Sequence, residues 1–542
     1  MKPMAALGVQ ARWLRLSATF MAAVAVLAIA SATLVGPAAI AVSAVAVILV
    51  VGLGVLTWRR EHLLTLGIRL LRRRAHGLLA LAPAVDHAGR WPIVTSAVRG
   101  HGDEAIAVVA VDGPSHVPSS LDHQRVVSPA GLPIAVIADA LRQFDVRLSG
   151  IDVLSRGRRR AANGHHHYAA TYSRRVGDHG AMGTRRTLCV LRMNSQDNVA
   201  AVLSRDSVAD TVTACAQRLA AELTARQCPS RVVDSAELAT IDDELSLGVT
   251  EPAHQLWGGL RHGGGVVTTY WVSPEDITTS TLDRVWVPDC DHTATALQLR
   301  AGSDGTTRVG LLVRYATGGP LHEPPVLGLN PLSGRHDLGF RAGLADAATP
   351  ALLAPHRVLE AGENLLAPIG SNGVIIGSTM NGHPLLLNLA SSVPGATSTV
   401  TVAGEVALLI QLAMCHAAIG YHVIVRSSRP QVWRPAAGAG LHIVPGLPPT
   451  LPDNGEGAMI IYDDPRASAP ASASRAAAGP RAAITVRLVP ARSTSVADVH
   501  MEQDHDSPNT CGIRTAAFTY RERIDLSAER DLIRTQARGR VA

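Results

Sequence analysis

The chain has 542 residues, a formal net charge of +6 and 47% hydrophobic residues, but only 3% aromatic residues. This length exceeds that of one compact core, so two or three folded domains are expected. Nucleic-acid binding is disfavoured, because the basic residues do not alternate with aromatic residues on which bases could stack.

Lysine and cysteine usage excludes further classes of protein. Lys2 is the only lysine, so the folded part has no phosphate-loop lysine, Schiff-base lysine or kinase-type lysine. The six cysteines are far apart and form no C-x-x-C pair, which disfavours zinc and iron–sulfur sites. Reduced thiols of this kind are typical of a cytosolic compartment.

Residues 16–58 form a stretch of 43 residues without a charged side chain. One helix of that length would measure about 64 Å, roughly twice the hydrocarbon core of a bilayer. Gly36 and Pro37 break the stretch, so the sequence predicts two transmembrane helices over 16–35 and 38–58 with a turn at 36–37. A cleavable signal peptide is the weaker alternative, because its apolar core has only about 7–15 residues.

The basic residues that flank this stretch predict its orientation. Residues 1–15 form a basic terminus, several arginines follow residue 58, and the turn has none. The positive-inside bias then places both termini and the soluble domains in the cytoplasm, as in a multi-pass protein of the inner membrane.

A basic amphipathic helix is predicted over 59–81. Arg69, Arg72 and Arg73 fall on one face of this helix and leucines on the other, so the arginines are expected to contact anionic lipids of the inner leaflet. A connector helix packed on the soluble domain is the alternative.

The region 85–315 is predicted as a cytosolic α+β domain. The expected helices are 135–144 and 206–227, the second capped by Asp206, because apolar residues recur there at helical spacing. Apolar runs bounded by turn residues predict strands at Ala105–Val111, Val146–Leu154, Thr187–Met193, Gly263–Val272, Arg284–Val287, Ala294–Arg300 and Thr307–Tyr315.

Three further regions complete the predicted organisation. Residues 316–356 are rich in Pro and Gly and are read as a linker, and residues 496–542 as a polar tail. Between them, 357–495 alternates strands, among them 399–403, 421–426, 441–444, 458–462 and 482–489, with a helix over 405–419. Such alternation predicts a parallel α/β layer. The expected fold class is therefore α/β (α+β) cytosolic domains behind an N-terminal two-helix transmembrane hairpin.

The turn after residues 399–403 has the strand–glycine–helix arrangement that holds phosphate in RecA-like ATPases. A second strand ends at Asp463 and Asp464, where carboxylates could hold Mg²⁺. The turn has one glycine, no Gly-Lys-Ser/Thr, and Glu405 where a phosphate would lie. The sequence therefore favours a degenerate RecA-like layer without ATP hydrolysis.

Two other patterns suggest metal sites. Asp289 and Asp291 form the D-x-D pattern that glycosyltransferases use for a metal and a nucleotide-sugar, but D-x-D is frequent by chance. The triplet His165–His167 lies in a polar, basic stretch with no nearby carboxylate or cysteine, so a mobile loop is favoured over a metal site.

The N-terminal hairpin, the exit sequence Trp58–Gly67, the segment Trp91–Val94 and the strand 186–194 leading through Asn198 and Arg205 into an Ala-rich helix occur in this order. In this order and hydrophobic pattern, over about residues 10–240, the chain resembles the EccE family of the mycobacterial type VII (ESX) secretion system.

The resemblance implies a structural inner-membrane subunit that assembles with EccB, EccC and EccD-type partners, with EccC as the motor ATPase. The family has no established catalytic residues, so no catalytic, cofactor-binding or metal-binding residue is assigned and no cofactor is expected. A membrane-anchored glycosyltransferase-like enzyme using Asp289 and Asp291, and a degenerate nucleotide sensor built on 399–464, stay as alternatives.

Overall fold

A computed structural model of the chain describes residues 7–9, 13–33, 37–58, 61–62, 78–88, 94–123, 125–162, 164–302, 304–348, 352–393, 395–444, 457–464, 483–491 and 496–538. The α-helices of these residues are α1 Trp13–Thr33, α2 Pro37–Val55, α3 Ile134–Asp139, α4 Ala169–Val176, α5 Val199–Ser204, α6 Val208–Ala225, α7 Ser235–Leu245, α8 Thr279–Arg284, α9 His336–Arg341, α10 Val406–Ile419, α11 Pro430–Trp433 and α12 Ser527–Arg538.

The strands are β1 Leu7–Val9, β2 Leu56–Trp58, β3 Glu61–His62, β4 Val85–Ala88, β5 Thr95–His101, β6 Glu104–Val111, β7 Pro118–Asp122, β8 Arg125–Val127, β9 Gly131–Pro133, β10 Arg142–Gln143, β11 Val146–Arg147, β12 Gly150–Arg158, β13 Thr184–Asn194, β14 Ser230–Val232, β15 His254–Gln255, β16 Leu260–His262, β17 Gly265–Val272, β18 His292–Ala301, β19 Thr307–Thr317, β20 Leu329–Pro331, β21 His356–Val358, β22 Leu366–Pro368, β23 Val374–Ser378, β24 Pro384–Leu387, β25 Ser398–Ala403, β26 His422–Arg426, β27 Leu441–Val444, β28 Ala458–Tyr462, β29 Ile484–Leu488, β30 Val499–Gln503, β31 Thr510–Thr515 and β32 Thr519–Arg523.

The N-terminal helices α1 and α2 pack against each other as a hairpin. Gly54, near the end of α2, lies against the side chain of Thr19, near the start of α1, where a Cβ atom would clash. The two helices therefore run antiparallel, as predicted. At the base of the hairpin, β1, β2 and β3 form a small antiparallel sheet.

The boundaries of the hairpin differ from those predicted. The second helix ends at Val55 instead of residue 58, because 56–58 pair as a strand with Leu7–Val9. Among the residues that the structure describes, no helix combines the length and apolarity needed to cross a membrane. Glu61–His62, at the start of the predicted helix 59–81, is a strand, and Arg69, Arg72 and Arg73 lie outside the described residues.

The first large sheet is antiparallel and buried on both faces. Its order is β15-β16-β17-β19-β18-β12-β13-β6-β5-β4, with β14, β20 and β21 on the flanks of β6, β17 and β19. Val109 of β6 faces a core that includes Leu219 of α6, and the adjacent Val108 faces one that includes Leu238 of α7. Burial on both faces explains why β6 is continuously apolar rather than alternating.

The second large sheet combines a parallel and an antiparallel half. Its order is β27-β26-β28-β29-β25-β30-β31-β32-β23-β24-β7-β8, and the strands from β27 to β30 are parallel. Every residue from Ala407 to Ile419 of α10 is buried in the core of this sheet. Gly420 ends the helix with a φ of 115°, which a side chain would disfavour. The predicted mixed α/β class with a parallel layer is confirmed.

Neither large sheet comes from one continuous stretch of chain. The hairpin β7–β8 follows β6 of the first sheet in sequence but pairs with β24 of the second. In return, β21, which spans the predicted boundary between the linker and the C-terminal domain, pairs with β19 of the first sheet. Residues 499–523, within the predicted tail, supply three strands of the second sheet.

Three local predictions are wrong. The segment Arg284–Val287 is the end of α8 and a turn rather than a strand, because the Thr278 hydroxyl accepts a hydrogen bond from the Thr281 backbone N–H and caps a helix. The helix at 135–144 ends at Asp139, since the chain turns back at Phe144, where φ is 54°.

The third error concerns the cap of α6. Asp206 has a φ of 71° and precedes the cap, and Ser207 is the N-cap residue, accepting from the Asp210 backbone N–H at 2.9 Å.

Candidate functional site

The turn after β25 is the strand–glycine–helix turn at which a phosphate could bind. In the structure, side chains of the protein itself occupy this position. The Glu405 carboxylate accepts from Arg530 of α12, with Nη2 at 2.6 Å, and from Gln503 Nε2 at 2.7 Å. The Gln503 side-chain oxygen accepts from the Glu405 backbone N–H at 2.9 Å. The hydrogen bond from Arg530 lowers the pKa of Glu405. A phosphate at this helix N-terminus would have to displace a carboxylate that is already paired.

Asp463, the carboxylate after β28 that was considered for Mg²⁺ binding, is also occupied by hydrogen bonds within the protein. Asp463 is completely buried. It accepts from Ser427 Oγ at 2.5 Å, from Trp433 Nε1 at 2.8 Å and from the Arg429 guanidinium. In the sheet, β29 separates β28 from β25. Asp463 therefore ties the 427–433 segment to the sheet, and its contacts are those of a structural carboxylate.

The D-x-D pair lies on a loop before β18. Asp289 accepts from Arg160 Nε at 2.8 Å, and the intervening Cys290 is buried, with its thiol 3.1 Å from Thr293 Oγ1. Burial raises the pKa of Cys290 to about 11. No group of three or more His, Cys, Asp or Glu residues with metal-binding geometry occurs in the part of the chain that the structure describes.

The histidine triplet packs between the two sheets. The ring of His165 lies 3.2 Å from the Tyr421 carbonyl oxygen, measured from Nε2, and 5.2 Å from the ring of His422. His166 Nε2 lies 3.0 Å from the Ala436 carbonyl oxygen, and burial lowers the pKa of His166. The triplet therefore docks the end of β12 on the second sheet.

A cleft that sequence reasoning missed lies between β8, the segment 366–369 and α8. Arg185, at its base, lies just before the strand Thr187–Met193 that the sequence predicts. In the structure Arg185 is on β13, and its side chain is on the same inward face of the strand as the buried Cys189 and Leu191. The alternation of Arg185, Thr187, Cys189 and Leu191 was the available signal, although an arginine at its start does not suggest burial.

Comparison with known proteins identifies the family. Residues 181–272 match the family model described as "Putative type VII ESX secretion system translocon, EccE". The chain is 34% identical to the ESX-5 secretion system protein EccE5 of Mycobacterium tuberculosis, over 68% of this chain and 97% of the relative. The chain belongs to the EccE family. The resemblance predicted from the sequence is confirmed.

Other EccE proteins match less of their own length. EccE5 of Mycobacterium marinum is 36% identical over 53% of this chain and 74% of the relative. The ESX-1 secretion system protein EccE1 of Mycolicibacterium smegmatis is 26% identical over 61% of this chain and 63% of the relative. The segment that matches the EccE model includes β13, α6, α7 and β17, and so contains strands of the first sheet together with Arg185.

Proposed function

We propose that this EccE protein is a structural, non-enzymatic subunit of a type VII secretion complex, and that it assembles with EccB, EccC and EccD-type subunits at the inner membrane to export substrates. Family membership is the observation that carries the proposal. The hydrogen bonds of Glu405 and Asp463 are compatible with this proposal, because both carboxylates hold parts of the fold together.

The exposed surface of the α1–α2 hairpin supports the proposal that this protein contacts the membrane or membrane-embedded partners. Large apolar side chains are exposed along both helices, among them Phe20, Ile40 and Ile48, which are 67%, 75% and 69% exposed. An apolar surface of this extent is unfavourable in water and is typical of a membrane or protein contact. We propose that the hairpin is the membrane-associated element and that the two sheets lie on the cytoplasmic side, with Arg69, Arg72 and Arg73 near anionic lipids.

The proposal is tested by purifying the tagged full chain from its native membrane in mild detergent, with mass spectrometry and a native gel as readouts. The expected result is a large assembly that contains an EccC-type ATPase and an EccD-type protein. The double variant Ile40→Asn, Ile48→Asn is expected to lose it. The matched control replaces two exposed apolar residues outside the hairpin, Leu327→Asn and Val393→Asn, and should retain it. A chain that runs alone, without those partners, would contradict the proposal.

The non-enzymatic part of the proposal has its own test. Binding of a nucleotide-sugar with Mn²⁺ is measured by calorimetry for the purified chain and for Asp289→Ala, and ATP binding in the same way. We expect no binding in each case, because Asp289 pairs with Arg160 and Glu405 with Arg530. Saturable nucleotide-sugar binding that Asp289→Ala abolishes would favour the glycosyltransferase-like alternative instead.

A further inference from the structure

A cleft of about 500 Å³ lies at the free end of the second sheet. We call it the β8 cleft. It is lined by β8 with the following residues 128–131, by residues 366–369, whose Pro368 pairs with Gly131, and by Thr279 and Asp283 of α8. Its volume is within the range of ligand pockets, about 300–1,000 Å³.

A buried guanidinium with unused donors lies at the base of the β8 cleft. Arg185 is 8% exposed, stacks at 4.6 Å on the ring of Trp286, and donates from Nη2 to the Gly180 carbonyl at 3.0 Å. Its Nε has no hydrogen-bond partner among the described residues. Burial lowers the pKa of Arg185 to about 10, so it is still a cation at neutral pH. A buried cation with unused donors is costly unless an anion or acceptor completes it.

Within the described ranges, the acidic side chains near Arg185 do not form a direct ion pair with its guanidinium. Asp283 is the nearest carboxylate that influences it, but no hydrogen bond joins the two among the described residues. Asp283 instead lies 3.8 Å from Arg125 at the rim. The other acidic group of the rim, Asp122, is hydrogen-bonded to His123.

The wall formed by β8 offers an open sheet edge. In the described part of the chain, β8 is the last strand of the second sheet and pairs only with β7. Val127 on this strand is 55% exposed. An edge strand presents unpaired backbone N–H and C=O groups, which an extended peptide can complete as an added strand.

We infer that the β8 cleft binds an extended peptide segment of a partner protein, which adds a strand to β8 and places an acidic side chain on Arg185. The sheet edge supplies backbone hydrogen bonds, and the guanidinium supplies the specificity, since arginine and carboxylate form paired, charge-assisted hydrogen bonds. This site goes beyond the assembly role and does not depend on it.

The inference is tested with the full chain in mild detergent and a phage-displayed library of random heptapeptides. Selected sequences are expected to carry Asp or Glu at one fixed position and apolar residues at alternate positions. Binding of the labelled peptides is measured by fluorescence anisotropy. Replacing the acidic residue of a selected peptide by its amide should weaken binding about tenfold or more. A library that yields no enriched acidic position would overturn the inference.

Two variants of the protein act in opposite directions, which separates a binding effect from a folding effect. Arg185→Gln is expected to weaken acidic peptides about tenfold. Asp283→Asn removes the competing negative charge and is expected to strengthen them, which a misfolded chain would not do. Unchanged affinity in both variants would overturn the role of Arg185.

Two further controls examine the nature of the ligand. A selected peptide that is N-methylated at alternate backbone amides loses donors to a sheet edge and should bind about tenfold more weakly. Only the register whose amides face β8 should be sensitive, so strand addition is wrong if methylation leaves affinity unchanged in both alternate registers. If free acetate binds the cleft as tightly as the peptide, the cleft is an anion site only, and the inference fails.

Discussion

Glu522 is a buried carboxyl whose cost to stability depends on pH. It is fully buried on β32, packs against Gly377, and neither of its carboxyl oxygens has a hydrogen-bond partner among the described residues. Burial raises its pKa well above the usual range. In the folded state the group therefore keeps its proton at pH values at which the unfolded chain has lost it. Stability falls as the pH rises above about 4.5, the value of the unfolded group, towards the folded pKa.

The first prediction is that Glu522→Gln removes this loss. The free energy of unfolding should rise by about 1–3 kcal/mol at pH 8 and change less at pH 5, because the wild-type chain must take up a proton at Glu522 to fold at pH 8, whereas at pH 5 part of the unfolded chain already carries it. Urea unfolding at the two pH values measures the difference. The control is Glu275→Gln, a substitution at an exposed position, for which both values should stay close to wild type. Equal effects of Glu522→Gln at pH 5 and pH 8 would contradict the assignment.

Arg314 is a second buried charge, and it satisfies carbonyl groups rather than a carboxylate. It donates to the carbonyl oxygens of Leu245, Phe340 and Gly343 at 3.2, 3.2 and 2.8 Å. Burial lowers its pKa to about 9. It therefore joins α7 and the end of α9 to β19, since these carbonyls lie where those helices end.

The second prediction is that Arg314→Met destabilises the fold by about 3 kcal/mol, because three carbonyl oxygens lose their donor while the apolar volume is kept. Arg308→Met, on the same strand but 39% exposed, should have little effect. Thermal unfolding of both variants at equal pH provides the measurement. A wild-type transition for Arg314→Met would show that water replaces the guanidinium at no cost.

At the scale of elements, the cap of α6 is determined by backbone conformation as well as residue type. Asp206 and Ser207 are both favoured N-cap residues, and composition does not separate them. Asp206 takes a left-handed φ of 71°, whereas Ser207 is extended and its hydroxyl reaches the Asp210 N–H.

The third prediction is that Ser207→Ala costs about 1 kcal/mol of unfolding free energy, whereas Ser207→Thr keeps most of the wild-type value. The helix buries Val212, Cys215 and Leu219, so loosening its first turn should be visible in the global urea transition. Equal stability of the Ala and Thr variants would mean that the hydroxyl does not cap the helix.

Elements with a strong local signal were predicted closely. The strands at 441–444 and 458–462 and the helix after Glu405 agree with the structure within one residue, because each is a compact apolar run between turn residues. Arg284–Val287 has similar composition but ends a helix. Tertiary packing of Val285 and Trp286 overrides local preference there.

The candidate site was less predictable than the fold. The carboxylate of Glu405 at the turn after 399–403 is visible in the sequence, but its contacts are not. Its partner Arg530 is 125 residues away, and the edge of β8 exists only because β7 pairs with β24. Such pairings depend on the whole fold and leave no local pattern.

At the scale of the whole molecule, two residues 11 positions apart in sequence belong to different cores. Leu121 of β7 is buried in the core of the second sheet, and Leu132 of β9 is buried in the core of the first. The chain leaves the first sheet after β6, contributes β7–β8 to the second, and returns. The two sheets are therefore linked by exchanged strands. A substitution at Leu121 or Leu132 should first weaken the sheet whose core contains that residue.

The fourth prediction is measured by native-state hydrogen exchange. Leu121→Ala is expected to reduce amide protection in Ser398–Ala403 more than in Gly150–Arg158, and Leu132→Ala to do the reverse, each costing about 2–5 kcal/mol in its own core. Each substitution serves as the control for the other, because both remove the same buried side chain. Equal loss of protection in both sheets from either variant would instead mean that the exchanged strands couple the molecule into one cooperative unit.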